Sequence, residues 1–141
     1  MPARHPSLRV VGAHLGSLEY DLDELASRLD AYDNFAVDTS ARFRDLVSHG
    51  GKRLRDFFLT YDDRILFGTD VVARRPHSEM AGVEREELYE KVRKDYLAQH
   101  AYFAGNQPVT FGDEVHDGIE LPDDVLREFF RENARSWHPG M

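Results

Sequence analysis

The sequence predicts an α/β fold built on a parallel sheet that is buried on both faces. Three short apolar runs, at residues 8–13, 35–37 and 65–67, are each followed by polar or small residues and then by a helical pattern. Short continuous apolar runs that alternate with helices are typical of βαβ units. Because the 141 residues fit one domain of ordinary size, we expect a single domain over residues 1–141.

The helices of the first half are predicted from apolar residues at helical spacing. The first covers residues 21–32, where apolar side chains recur every three or four positions: Leu22, Leu25, Ala26 and Leu29. A second helical stretch begins near residue 41. The adjacent Gly50 and Gly51 divide it into two helices or one broken helix, because paired glycines cost about 2 kcal/mol inside a helix.

The second half of the chain predicts two further helices. The longer one covers residues 84–103 and stops near Gly105, and the last one opens at Pro122 and ends at Pro139. The segment between them is predicted to be irregular, with an extended piece around residues 109–111.

Composition excludes several classes of protein. The formal net charge of -8 argues against a nucleic-acid partner, which normally needs a basic face. No apolar stretch approaches the roughly 20 residues of a membrane helix, and the first residues lack the apolar core of a signal peptide. The chain has no cysteine, so any metal would rest on His, Asp and Glu. A cytoplasmic protein with a small-molecule substrate is the expectation.

Candidate site residues follow the apolar runs, because function in parallel α/β folds gathers at the carboxyl ends of strands. His14 follows the first run, Asp38 and Arg42 follow the second, and Asp70 follows the third. His77 lies in the loop after Asp70, from where it can reach the same end of the sheet. These residue types bind metals, transfer protons or hold carboxylates.

Each candidate also has a structural interpretation. A hydrogen bond to a loop carbonyl explains His14 equally well. Asp38 can cap the helix that begins near residue 41, and Arg42 can be a solvated first-turn residue. Asp70 fits a helix cap less well, because the residues that follow it do not form a clear helical pattern.

Four segments in this order resemble the amidohydrolase superfamily, and more narrowly its aminocarboxymuconate-semialdehyde-decarboxylase-like branch. They are "LRVVGAHLGS", "NFAVDTSAR", "DRILFGTD" and the closing "LPDDVLREFFRENARSWHPG". The resemblance implies strands 6 to 8 of a (β/α)8 TIM barrel, with their helices and a C-terminal helix. It also implies a divalent metal, zinc or manganese, at the carboxyl ends of the strands.

The resemblance assigns roles to individual residues. His14 takes the strand 6 position and Asp70 the strand 8 position, and both are expected to be metal ligands and catalytic residues. Asp70 would receive a proton from the attacking water, and His14 would face substrate or intermediate. Asp38, Arg42 and His77 are the residues expected to contact a substrate, which in such families is an amide, a lactone or a carboxylic acid.

The chain departs from the family in two respects. It contains no His-x-His pair, and 141 residues are too few to close a barrel of about 250 residues. We therefore expect a C-terminal fragment of a metal-dependent hydrolase, inactive by itself, with open sheet edges that self-associate or pair with a missing N-terminal half. The alternatives are a nonoxidative decarboxylase of the same scaffold and a small non-catalytic α/β binding or interaction domain.

Overall fold

The computed structural model describes residues 2–72, 79–138 and 140, and its fold is mixed α/β. The strands are β1 (Val10–Gly12), β2 (Phe35–Asp38), β3 (Ile65–Leu66), β4 (Pro108–Phe111) and β5 (Glu114–Asp117). The helices are α1 (Leu22–Ala31), α2 (Phe43–Ser48), α3 (Gly51–Thr60), α4 (Gly82–Ala104), α5 (Asp123–Arg127) and α6 (Asn133–Trp137). A π-helical turn, Glu128–Glu132, joins α5 to α6.

Strands β1, β2 and β3 form a parallel sheet in that order, as the three apolar runs predicted. The register pairs Val11 with Ala36 and Val37 with Ile65. Because the strands are parallel, their carboxyl ends lie along the same edge, which we call the rim together with the loops that follow. The sheet does not close into a barrel within the described residues.

Local sequence explains the helix boundaries of the first half. Helix α1 starts after Asp21, whose carboxylate accepts a hydrogen bond from the Glu24 N–H at 3.0 Å. The glycine pair separates α2 from α3 as predicted, and Gly50 adopts a φ of 85° that favours glycine. The helical stretch predicted from residue 41 begins two residues later, at Phe43.

The core packs the helices onto the sheet through aromatic side chains. Phe103 of α4 meets Phe58 of α3 and Phe129 of the π turn at centroid distances of 5.1 and 4.9 Å. Such edge and tilted contacts add about 0.5–1.5 kcal/mol each beyond the area they bury. The carboxyl-terminal end of α4 is therefore anchored, while Val83 and Tyr89 nearer its start are exposed.

The hairpin β4–β5 was not predicted beyond an extended piece at residues 109–111. Its strands pair antiparallel around Gly112 and Asp113, and Gly112 has a φ of 65°. A two-residue loop with glycine in this conformation is a strong hairpin signal. The Gly112-Asp113 turn is therefore visible in the sequence, but the alternation of apolar residues on either side is too short to predict two strands.

The two edges of the parallel sheet differ. The outer edge of β3 is covered by the closing helix, because the Phe67 N–H donates to the Phe129 carbonyl at 3.0 Å and Asn133 Nδ2 donates to the Ile65 carbonyl at 2.8 Å. The expectation that β3 has an open edge is therefore wrong. Strand β1 pairs with β2 alone among the described strands, so its outer edge is open. None of the described helices is long and apolar enough to cross a membrane.

Candidate active-site rim

Each of the three strand ends carries a residue in the left-handed region. The φ angles are 56° at His14, 57° at Ala41 and 55° at Asp70. Such a conformation costs a non-glycine residue roughly 1–2 kcal/mol. Strain of this kind persists where surrounding contacts impose it, and it concentrates at functional sites.

Asp38 joins the first two strand ends. Its Oδ1 accepts hydrogen bonds from the backbone N–H of His14 at 3.1 Å and of Ser40 at 3.0 Å. It does not cap a helix, because α2 begins at Phe43 and its first turn receives no side-chain cap. The capping interpretation of Asp38 is therefore wrong, and the carboxylate instead holds the loop after β1 against the loop after β2.

The imidazole of His14 is oriented by one hydrogen bond. Its Nδ1 lies 2.7 Å from the Ser40 carbonyl oxygen, which can only accept, so Nδ1 carries the proton. In the neutral ring, Nε2 then keeps its lone pair, and it makes no hydrogen bond with the part of the chain that is described. The predicted bond to a loop carbonyl is confirmed. The same bond is the usual way in which a metal-ligating histidine is held.

Arg42 is engaged by Glu19 and not free at the rim. Its Nε lies 3.2 Å from Glu19 Oε1, although the two groups are not aligned for a hydrogen bond. Arg42 Nε and Glu19 Oε2 are buried without hydrogen-bond partners among the described residues. The pair thus ties the loop after β1 to the loop after β2, at the expense of desolvating both charges.

The second and third strand ends approach closely. Thr39 Oγ1 lies 3.2 Å from both the N–H and the carbonyl of Gly68, so the hydroxyl accepts from one and donates to the other. A Cβ on Gly68 would overlap the Ser40 hydroxyl. Position 68 therefore favours glycine, because a Cβ there would force the Ser40 side chain to move.

Asp70 lies at the end of the third strand with an exposed side chain. It makes no hydrogen bond or ion pair with the described residues. Helix α4 begins twelve positions later, at Gly82, with Ala81 as its N-cap. Asp70 is therefore not a helix cap. His77, the remaining candidate, lies outside the described residues.

The donors at the rim do not by themselves fit a catalytic metal. Over residues 2–72 and 79–138, no three His, Asp or Glu side chains come together as a metal site. Oδ1 of Asp38 accepts hydrogen bonds from two backbone N–H groups. His14 Nε2 and the Asp70 carboxylate make no hydrogen bond with the described residues and can therefore bind a metal. A catalytic metal normally needs three protein ligands. The described residues do not bring three such ligands together.

A cavity of about 350 Å³ opens beside the rim, between the loops after β2 and β3 and helix α4. Thr39 and Gly68 line it from the strand ends, and Tyr96 and Gln99 line it from α4. The hydroxyls of Tyr96 and Thr69 lie 3.1 Å apart. Sequence analysis did not identify Tyr96 and Gln99 as cavity residues. Helix α4 begins well after the third strand, and its sequence does not indicate which of its turns packs against the rim.

Comparison with known proteins gives one match. A family model described as amidohydrolase matches residues 1–138. Neither the curated proteins nor the solved structures contain a match to the chain. The match covers nearly the whole sequence and agrees with the resemblance of the strand-end segments. This chain therefore belongs to the amidohydrolase family.

Proposed function

We propose that this chain forms strands 6 to 8 and the closing helix of a metal-dependent hydrolase barrel that acts on a small amide, lactone or carboxylic acid. The observation that carries the proposal is the His14 imidazole, whose Nδ1 is bound to the Ser40 carbonyl so that Nε2 is presented with its lone pair. Family membership supplies the scaffold. The metal belongs to the completed barrel, since this chain does not gather three ligands.

The proposal gives Asp70 the role of proton acceptor. Its carboxylate is exposed and unpaired within the described residues, so it can take a proton from an attacking water. The left-handed φ of 55° turns the chain at Asp70, four residues after the end of β3. A general base in this position typically contributes a rate factor of about 10²–10⁴.

His14 is proposed to face the charge that develops on the substrate. Its position is fixed twice, because Asp38 binds its backbone N–H and Ser40 binds its ring. A group that is oriented before the reaction stabilises a developing charge without reorganising. Asp38 therefore acts as a positioning residue for His14, and the pair of Glu19 and Arg42 supports the same loop.

The open outer edge of β1 is the place where a further strand can join the sheet. Parallel sheets in this fold class are closed or covered, and an unpaired edge promotes association. At the other edge, a strand would have to replace the hydrogen bonds that β3 makes with Phe129 and Asn133. Completion of a barrel is thus expected to begin at β1.

The direct test is to express the chain together with the polypeptide encoded immediately upstream of its start codon. We expect that frame to contain a His-x-His strand, and the pair of polypeptides to hydrolyse members of an amide and lactone panel in the presence of Zn²⁺ or Mn²⁺. Asp70→Asn should lower kcat by about 10²–10⁴-fold. The matched control is Asp113→Asn, an exposed aspartate in the β4–β5 turn.

The outcomes separate the candidate functions. Release of CO2 from a carboxylic acid without hydrolysis would identify the nonoxidative decarboxylase. An upstream frame without a His-x-His strand, or full activity of Asp70→Asn, would contradict the proposal. The purified chain alone should bind Zn²⁺ weakly, so a submicromolar dissociation constant by calorimetry would show that it holds a complete site by itself.

A further inference from the structure

The cavity beside the rim has the size and lining of a small-molecule site. Its volume of about 350 Å³ lies within the usual ~300–1,000 Å³ of ligand pockets. Aromatic and aliphatic side chains form much of its wall: Phe43, Phe111, Tyr96, Val71 and Val92. Such walls favour a flat, largely apolar ligand, and the polar groups among them decide which one.

Gln99 is the polar group that the fold leaves unsatisfied there. It is 8% exposed, yet its amide makes no hydrogen bond with any described residue. The amide nitrogen and oxygen are not buried in protein but open to the cavity, where a ligand can reach them. The amide presents a donor beside an acceptor, which matches another amide through two parallel hydrogen bonds.

The charges around the cavity select against anionic ligands. Arg44 lies on one side with Asp45 and Asp95, which gives one cation and two carboxylates. The Arg44 guanidinium is placed 5.5 Å from the centroid of the Phe111 ring, so part of its charge is already engaged. An anionic ligand would meet two like charges and only one opposite charge that is already partly engaged.

The hydroxyls of Thr69 and Tyr96 add a second polar point at the wall nearest the rim. They lie 3.1 Å apart and bridge the end of the third strand to α4. Tyr96 also packs edge-on against Phe67 at 5.7 Å, which holds this wall in place. The cavity thus has a polar point, held in place by these contacts, within its aromatic wall.

We propose that this cavity binds a small, planar ligand that consists of an aromatic ring with a primary amide. The ring lies among the aromatic side chains, and the ligand amide pairs with the Gln99 amide, donor to acceptor and acceptor to donor. This inference goes beyond the proposed function, because it concerns binding by the chain alone and requires neither metal nor turnover.

The test uses benzamide as the probe, with benzoate and benzylamine as charged counterparts of the same shape. In the full chain, benzamide should shift the Gln99 side-chain amide resonances in a ¹⁵N-correlated NMR titration, at roughly millimolar concentrations expected for so small a ligand. Its affinity should exceed that of either charged probe at least tenfold. Absence of binding, shifts confined to other residues, or equal affinity for benzoate would overturn the proposal.

Two variants isolate the amide. Gln99→Met keeps the side-chain length, removes the unpaired polar group and should fold at least as stably as the parent while binding benzamide at least tenfold more weakly. Gln99→Glu keeps the shape of the side chain but offers two acceptors, so the variant should bind benzamidine, which donates two hydrogen bonds, more tightly than benzamide. Gln107→Glu is the matched control, because Gln107 is exposed and pairs with Asn106 instead. Parent-like benzamide affinity in Gln99→Met would overturn the proposal.

Discussion

The two ends of the parallel sheet use their polar side chains in opposite ways. At the amino end, Asn34, Asn133 and Trp137 donate hydrogen bonds to backbone carbonyls that would otherwise be unpaired. At the rim, His14 Nε2 and the carboxylate of Asp70 make no hydrogen bond within the described residues. These side chains at the amino end are therefore hydrogen-bonded within the protein, while two polar groups at the rim are available to bind something else.

We propose that this difference separates residues that serve stability from residues that serve function. Barrel enzymes bind and react at the carboxyl ends of their strands, while the opposite end serves stability. The rim also carries the left-handed residues His14, Ala41 and Asp70, and strain of that kind marks functional sites. Substitutions at the amino end should therefore change stability, and substitutions at the rim should change function more.

The largest effect on stability is expected from Asn133→Ala at the amino end. Asn133 is 1% exposed, and its Nδ2 donates to the carbonyls of Asp62 at 2.6 Å and Ile65 at 2.8 Å. Its removal leaves two carbonyls unpaired, so the free energy of unfolding should fall by about 3 kcal/mol. Urea denaturation measures this change. Asn106→Ala, at an exposed position, is the control and should shift it by less than about 0.5 kcal/mol.

Gly68→Ala tests whether the rim also contains a position at which close packing restricts the choice of residue. The added methyl group would overlap the Ser40 hydroxyl, so that side chain must rotate or the strand ends must separate, and we expect a loss of about 1–3 kcal/mol in urea denaturation. Gly82→Ala is the matched control, since nothing lies within 4 Å of its added Cβ and the residue begins a helix. Equal stability of the two variants would mean that the strand ends are not in close contact.

Tyr102 lies in the core between the two ends of the sheet, so its ionisation tests the stability of the core that both ends share. Burial raises its pKa from 10.0 to about 12, because the ionised phenol would lose hydration. The folded chain then holds the proton more tightly than the unfolded chain, so stability is full below pH 10 and is lost as the pH rises towards 12. The slope should approach about 1.4 kcal/mol per pH unit.

Tyr102→Phe should remove most of this loss when unfolding is followed between pH 9 and roughly 11.5, about 1.5 units above the ordinary tyrosine pKa. Tyr89→Phe is the control, because Tyr89 is 60% exposed and should retain the parental pH dependence. If the free energy of unfolding of Tyr102→Phe fell with pH as steeply as that of the parent, another group would be responsible for the loss of stability.

The smallest effect on stability is expected from Asp70→Asn. The side chain is exposed and makes no hydrogen bond or ion pair in the described part of the chain, so the free energy of unfolding should change by less than about 0.5 kcal/mol. Thermal or urea unfolding measures this directly. A loss comparable to that of Asn133→Ala would show that the rim and the amino end are not distinct.

Much of this arrangement was predictable from local sequence. Apolar runs and the glycine pair gave the strand order and the break between α2 and α3, and positions after the strands gave His14 and Asp70. The rest depends on contacts across the fold. The capture of two backbone N–H groups by Asp38 and the return of Gln99 to the rim join residues far apart in sequence, and no periodicity encodes them.

The covered edge of β3 illustrates the same limit. Strand pairing rules predicted an open edge there, but a π-helical turn at Glu128–Glu132 brings the Phe129 carbonyl to the Phe67 N–H. Insertion of one residue into a helix changes which carbonyls remain free, and sequence gives little sign of it. The closing helix could be predicted, but its hydrogen bonds to the sheet could not.

The tautomer of His14 tests the central claim most directly, because the proposed rim chemistry requires Nε2 to carry a lone pair. Long-range ¹H–¹⁵N NMR of the neutral ring distinguishes the two nitrogens, and His14→Gln assigns the signals. The account predicts a protonated Nδ1, bound to the Ser40 carbonyl, and an unprotonated Nε2. A neutral ring with its proton on Nε2, or rapid exchange between both tautomers, would contradict it.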